Sequence, residues 1–342
     1  MTNTSILQKI KRGGDDLPPR VLLSGTIGIG KSTFAANAPQ PLFVCSEDGL
    51  TGLEHIERIV PQTYHEILAL IDALIASETV EYQTLVFDTT DWLEQMIQAY
   101  VCFRDDKVRV VENITEWGEK RQEKVPDIES YGFAKGYIAV EQEARLLFSK
   151  LDILRHKHKM LIILLSHVSV KTVTKPNQDP FDGYVLRGNG KFTSVITEWA
   201  DAVLFALMES HTFEDKKKRT ERTVLGERTL HTAANATWEA KNRLGLPETL
   251  PLDFDAFWRA VEMNKPAVLR AHYLALRETA VYDTDKQRAA ALAEKAESLN
   301  PLQLKTRIEK LLARQPAEGK SNSTASTPST SSSGTAAQSN QE

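Results

Sequence analysis

The sequence predicts an α/β fold with a mostly parallel central sheet flanked by helices, followed by a small helical C-terminal region. Short apolar runs recur at 21–24, 42–45, 84–87, 160–166 and 202–207. They are four to seven residues long and lack a clean alternation of polar and apolar positions, which is how strands buried on both faces read. Between them lie helical patterns. Residues 91–104 carry Trp92, Leu93, Met96, Ile97, Tyr100 and Val101 at helical spacing, and 134–158 carry Ile138, Leu146, Leu147, Leu151 and Leu154. Strands alternating with such helices form a parallel sheet with a helical layer on each face.

Taken in order, residues 1–19 are polar, with Gly13-Gly14 and Pro18-Pro19, and are expected to form a flexible arm ahead of a core at 20–252. Two polar stretches interrupt that core and are expected to be long loops, which in compact domains are functional or mobile. One is 107–133, with Trp117 and Pro126; the other is 168–190, with Pro176, Pro180, Gly183, Gly188 and Gly190. Residues 209–235 resemble a β-hairpin with the basic tip Lys216-Lys217-Lys218-Arg219, and 253–314 are helical. Of the last 28 residues, 12 are Ser or Thr, so 315–342 lack the apolar surface needed to fold and are expected to be disordered.

Composition narrows the function classes. Hydrophobic residues make up 41% of the 342 and charged residues 26%, which is globular and excludes collagen-like or wholly disordered chains. No apolar run approaches the roughly 18–20 residues that cross a bilayer, and the N-terminus lacks a signal-peptide core. Two cysteines, Cys45 and Cys102, form neither a disulfide framework nor a zinc spacing, so a reducing cytoplasm is the expected setting. A net charge of −4 argues against coating nucleic acid by bulk electrostatics but leaves room for a local basic groove.

The most informative stretch is Gly25-Thr26-Ile27-Gly28-Ile29-Gly30-Lys31-Ser32, which satisfies G-x-x-x-x-G-K-[ST] after the apolar strand Val21-Leu22-Leu23-Ser24 and before a helical segment. Glycines let the backbone bend until its N–H groups converge on phosphate oxygens. Gly25, Thr26, Gly28, Ile29, Gly30, Lys31, Ser32 and Thr33 are the expected nucleotide-binding residues. Lys31 would place a point charge on the β- and γ-phosphates, and Ser32 Oγ would ligate Mg²⁺. The apolar strand Leu85-Val86-Phe87 ends in Asp88, which would hold a Mg²⁺-bound water or, alternatively, cap the next helix. Glu47, directly after the second strand, is the expected residue that polarises the attacking water, with Asp48 in reserve and a solvated turn acid as the plain alternative. The fourth strand ends in Ser166-His167, and His167 is either a γ-phosphate sensor or a structural histidine.

This order resembles the RecA-type ATPase core. Its members here are a P-loop, a strand followed by Glu, a strand ending in Asp, and a strand ending in a polar residue before a polar stretch. More closely, it is similar to the phage-encoded RecA-core-only ATPases that act as single-strand annealing recombinases. The residues that carry the resemblance are Gly25 to Thr33, Phe43 to Leu50, Val86 to Leu93, Tyr131-Gly132 with Gly136-Tyr137, Leu164 to His167, and Glu198 to Val203. The resemblance implies a RecA-like P-loop core that binds ATP and Mg²⁺, hydrolyses ATP under stimulation by DNA, and acts in DNA recombination and repair. It also implies single-stranded DNA and a single-strand-binding protein as partners, a homo-oligomeric ring or filament, and, for a phage protein, the host cytoplasm. It supports Glu47 as activator of water. His167 departs from the Gln that such proteins often carry at the sensor position. Lys241-Asn242-Arg243-Leu244-Gly245 resembles the K-N-R-F-G motif of RadA-type ATPases, with Leu for Phe. By that resemblance Lys241 and Arg243 reach a neighbouring subunit's γ-phosphate; the alternative is a pair of cations at a helix end.

Single-strand binding would rest on loops. Lys171, Lys175, Arg187 and Lys191 stand among Phe181, Tyr184 and Phe192, and interleaved cations and rings suit a backbone with splayed bases. A second basic stretch, 107–124, is diluted by Glu112, Glu116, Glu119 and Glu123. A nucleotide-switch protein acting on a protein partner and a small-molecule P-loop kinase remain as alternatives.

Overall fold

The computed structural model of the chain describes residues 16–46, 52–53, 55–103, 127–174, 179–215, 220–280 and 295–312. The chain divides into two compact units, Met1–Lys265 and Pro266–Glu342.

The first unit opens with β1 (Arg20–Gly25), α1 (Lys31–Ala36), β2 (Pro41–Cys45), β3 (Glu57–Ile59), α2 (Tyr64–Ala76), β4 (Thr84–Asp88) and α3 (Thr90–Phe103). It continues with α4 (Lys135–His158), β5 (Leu161–Val173), β6 (Phe181–Leu186), α5 (Gly190–Trp199), β7 (Ala202–Asp215), β8 (Thr220–His231), β9 (Lys241–Asn242), β10 (Thr249–Pro251) and α6 (Phe254–Met263). Among the described residues the strands run in the order β10-β8-β7-β1-β5-β4-β2-β3, with β6 added to β5 and β9 to β7. Every pairing from β7 through β1, β5, β4 and β2 to β3 is parallel. The α/β class and mostly parallel sheet are as the sequence predicts.

The lack of alternation in the apolar runs has a direct cause. Successive strand residues point to opposite faces, and both faces are covered. Leu22, Val44, Leu85, Phe87, Ile162 and Leu164 pack against α2, α3, α4 and α5. Their neighbours Val21, Leu23, Phe43, Val86, Ile163 and Leu165 share the other cluster with Phe34 of α1 and Phe254 and Phe257 of α6.

Several elements differ from expectation. Residues 168–190 are not a loop for most of their length: β5 runs on to Val173 and pairs antiparallel with β6, Val168 opposite Leu186 and Val173 opposite Phe181. This ribbon is held by its hydrogen-bond ladder and packed only at its base, by Val168, Tyr184 and Leu186, while Val170 is exposed, so no continuous apolar run announces it. The hairpin expected at 209–235 starts and ends four residues earlier, with β7 and β8 paired from Phe205–His231 to Asp215–Thr220; its basic tip, 216–219, lies outside the described residues. Strands β3, β9 and β10 and helices α2 and α5 are not among the elements expected from the sequence. The sequence boundary at 252/253 and the structural one at 265/266 differ because α6 sits with the core. Phe254 and Phe257 lie 5.5 and 5.7 Å from the Phe34 ring, and burying each contributes roughly 1.5–3 kcal/mol.

The second unit contains α7 (Pro266–Ala280) and α8 (Pro301–Leu312), closed around Leu269, Tyr273, Ala296, Leu299, Leu304 and Ile308. Among the described residues no helix is long and apolar enough to cross a membrane.

Candidate functional site

The C-terminal ends of β1 and β4 meet the middle of β5, where its parallel pairing stops, at one end of the sheet. Gly25 of β1 stands in register with His167 of β5, and Asp88 of β4 with Leu165 of β5. The loop after Gly25 turns through Gly28 at φ 76° and Gly30 at φ 111°, and Gly30 O accepts the first α1 hydrogen bond from Phe34 N at 2.9 Å. At φ 111° a side chain is strained, so the motif's last glycine is required by the turn itself.

Lys31 is the first residue of α1 and is only 6% exposed. Its Nζ donates to Gly25 O at 3.1 Å and Thr26 O at 3.0 Å. Burial lowers its ammonium to about 8, against the opposing pull of Asp88 and Asp91. Ser32 Oγ donates to Asp88 Oδ2 at 2.6 Å. Burial raises the Asp88 carboxyl, and the Ser32 hydrogen bond and the Lys31 charge oppose that rise. The motif thus brings together the three side chains expected of it. A hydroxyl and a carboxylate in contact are hard oxygen donors that fit Mg²⁺, which takes few protein ligands and leaves positions for water and phosphate.

His167 lies at this edge too. The Asp91 carboxylate, in the first turn of α3, accepts from His167 Nδ1 at 3.3 Å to each oxygen. Burial alone would raise Asp91, but hydrogen bonds from His167 and Thr89 and the His167 charge outweigh it and hold the carboxyl at about 2. A depressed carboxyl contributes stability that is complete above its unfolded pKa of about 3.9 and is lost as pH falls through the folded value. Asp91→Asn should therefore lower the denaturation midpoint at pH 7. The gap to the wild-type chain should close between about pH 4 and pH 2; a gap independent of pH would deny the pairing.

One turn further along α3, Glu94 is buried and accepts from Asn189 N at 3.1 and 3.0 Å and from Gln98 Nε2 at 2.9 Å. The approach needs Gly188, at φ 124°, because a Cβ there would overlap Glu94 Oε2. Arg187 N donates to His167 O at 2.9 Å. Helix α3 therefore holds both ends of the β5–β6 hairpin, one through Asp91 and one through Glu94. The Asp-x-x-Glu spacing, which places both on one helix face, is the sequence signal for this pair.

Other expected site residues fall elsewhere. Glu47 and Asp48 lie outside the described residues, as do Lys175 and the basic stretch 107–124. Lys171, Arg187 and Lys191 are exposed along the hairpin and the start of α5. Phe192 is wholly buried in the core and is not available to stack on a base, while Tyr184 packs on Phe205 with ring centroids 5.0 Å apart. Lys241 Nζ donates to the carbonyls of Thr197, Glu198 and Ala200 at 2.9, 2.8 and 2.7 Å. It thereby satisfies the C-terminal end of α5 from within its own chain. The Arg243 side chain is exposed.

A family model described as "AAA domain" matches residues 17–244. A search of curated proteins finds no match. Among solved structures, the crystal structure of the RadB recombinase aligns over 65% of this chain and 85% of that chain at 12% identity, with a TM-score of 0.34. The family match covers more than half of the chain and takes in β1, the glycine loop, Asp88 and His167; the chain belongs to the AAA domain family.

Proposed function

We propose that this chain is a Mg²⁺-dependent ATPase that couples hydrolysis of ATP to the binding and annealing of single-stranded DNA in recombination or repair, in the manner of phage-encoded RecA-core proteins. The observation that carries the ATPase reading is the 2.6 Å Ser32–Asp88 contact beside the buried Lys31. A bound Mg²⁺ would neutralise charge on the β- and γ-phosphate oxygens. Lys31 would hold the same oxygens from the loop side. Glu47, with Asp48 in reserve, is the proposed base: it takes a proton from water as the water's oxygen bonds to the γ-phosphorus and ADP departs.

His167 is the proposed sensor. Its contacts with Asp91 and with Arg187 N join the phosphate edge to the hairpin of Lys171 and Arg187 and to the start of α5 at Lys191; Lys175 joins them as a proposed contact from sequence. Those four are proposed contacts to the DNA backbone. A homo-oligomeric ring or filament would bring Arg243 to a neighbour's γ-phosphate. The three carbonyls on Lys241 favour Arg243 over Lys241 for that task. A single-strand-binding protein is a proposed further partner.

The nucleotide-switch reading is favoured by one observation: burial of Phe192 removes a ring from the proposed single-strand surface. Phosphate release measured with and without single-stranded DNA, at about 50 and 200 mM salt, separates the two, since backbone contacts weaken steeply over that range. The annealing reading expects DNA to accelerate turnover and the acceleration to fade at the higher salt. Turnover that ignores DNA at both salts supports the switch.

A further inference from the structure

We propose that Arg228 is a further nucleotide-binding residue of this site, holding the α- and β-phosphates from the side opposite Asp88. The inference rests on the reading of residues 25–33 as a phosphate loop.

Arg228 comes from β8, far from the motif in sequence, yet its guanidinium lies against the loop. A Cβ built on Gly30 would be 3.1 Å from Arg228 Nη1 and 3.6 Å from Leu252 Cδ2. The guanidinium therefore stands beside the turn whose amides form the proposed phosphate cradle.

Its backbone is fixed on both sides. Arg228 pairs with Met208 of β7, and its carbonyl accepts from Leu252 N at 3.0 Å. The β7–β8 register shifts between Met208 and Ser210, immediately beside Arg228. Gly226 occupies this irregularity, where a Cβ would fall 2.8 Å from Glu209 O. Bulges of this kind redirect neighbouring side chains and recur beside active sites.

The strand order assigns the end of the nucleotide. Asp88 and His167 come from β4 and β5, on one side of β1, whereas β7 and β8 lie on the other. A triphosphate with its metal-bound end at Asp88 presents its α- and β-phosphates toward Arg228. Among the described residues no carboxylate forms an ion pair with the Arg228 guanidinium. A permanently charged, five-donor group beside an amide cradle is suited to phosphate oxygens.

Calorimetric titration of the full chain with ATP and with ADP tests the assignment, using Arg228→Ala, Arg228→Lys and Lys31→Ala. Arg228→Ala is expected to weaken ATP and ADP alike, by about tenfold to a hundredfold, and Arg228→Lys to recover part of the loss. Unchanged ADP affinity in a folded Arg228→Ala overturns the inference, as does a loss confined to ATP, which would place the group at the γ-phosphate. If Arg228→Ala does not fold, Arg228→Lys decides: a loss shared by both nucleotides supports the assignment, and wild-type affinity for both overturns it. If the wild-type chain binds both nucleotides and Lys31→Ala does not, while Arg228→Ala binds normally, only the role of Arg228 fails. A wild-type chain that binds neither nucleotide overturns the inference together with the reading beneath it.

Discussion

Lys31→Ala is expected to weaken ATP binding by about a hundredfold or more and to remove measurable turnover, while the protein still folds. The side chain is buried against its own loop, its Nζ between the carbonyls of Gly25 and Thr26. A triphosphate seated on the loop would exchange those neutral acceptors for charged oxygens, which a cation in low dielectric favours strongly. The loss to the fold itself is two hydrogen bonds of about 1 kcal/mol each, offset by removing a charge whose burial is unfavourable. The melting midpoint should move by only a few degrees.

The same residue fixes the pH dependence. Its ammonium sits at about 8 instead of 10.5 because burial disfavours the charge. Binding a polyanion favours the protonated form, so affinity should be flat below pH 8 and fall as pH rises above it. Calorimetry near pH 8.5 in two buffers of different ionisation heat should register proton uptake in the wild-type chain. Binding that is undiminished in Lys31→Ala, or free of proton uptake at that pH, would remove Lys31 from the site.

Asp88→Asn separates chemistry from stability. Asn keeps the size and one oxygen, so nucleotide binding without metal should change little. The response to Mg²⁺ should weaken by about 10- to 100-fold, the range for partners that orient metal ligands, and turnover should fall at least as far. The stability effect has the opposite sign. Burial raises the Asp88 carboxyl in the folded chain. Above the unfolded pKa the ionised form is therefore a cost to folding, one that is absent at low pH and present at neutral pH. Removing the charge should raise the melting midpoint at pH 7 and leave it unchanged near pH 3. A destabilised Asp88→Asn with normal Mg²⁺ response would make the residue structural.

Much of this site was legible because two physical constraints write themselves into sequence. Strands 21–24, 42–45 and 84–87 lie between two helical layers and so are apolar at all but Ser24 and Thr84, whose hydroxyls donate to the Leu204 and Pro39 carbonyls, and this marks them against polar surroundings. The loop at 25–33 must turn through left-handed conformations beside a charge, and Gly28, Gly30 and Lys31 are the residues that can do so.

What was not legible depends on hydrogen bonding or on distance along the chain. The β5–β6 ribbon hides because only its base is packed, through Val168, Tyr184 and Leu186, while Val170 and Lys171 are exposed and leave no continuous apolar run. Helix α2 was missed although Thr63 accepts from Glu66 N at 3.3 Å and Glu66 Oε2 accepts from Gln62 N at 3.0 Å, a capping arrangement readable as Thr-x-x-Glu. Phe192, alone among polar neighbours, looked like a stacking ring and is a core residue facing α4 and the sheet. Arg228 lies about two hundred residues beyond the loop that it touches, and only the strand order brings the two together.

A crystal structure with a non-hydrolysable ATP analogue and Mg²⁺ bears on the account at its root. The β-phosphate should lie within hydrogen-bond distance of the amides of residues 28–32, with Lys31 Nζ turned from the carbonyls of Gly25 and Thr26 onto phosphate oxygen. Ser32 Oγ should have left Asp88 for the metal. An analogue bound elsewhere, or bound with the Ser32–Asp88 and Lys31–Gly25 hydrogen bonds undisturbed, would contradict it.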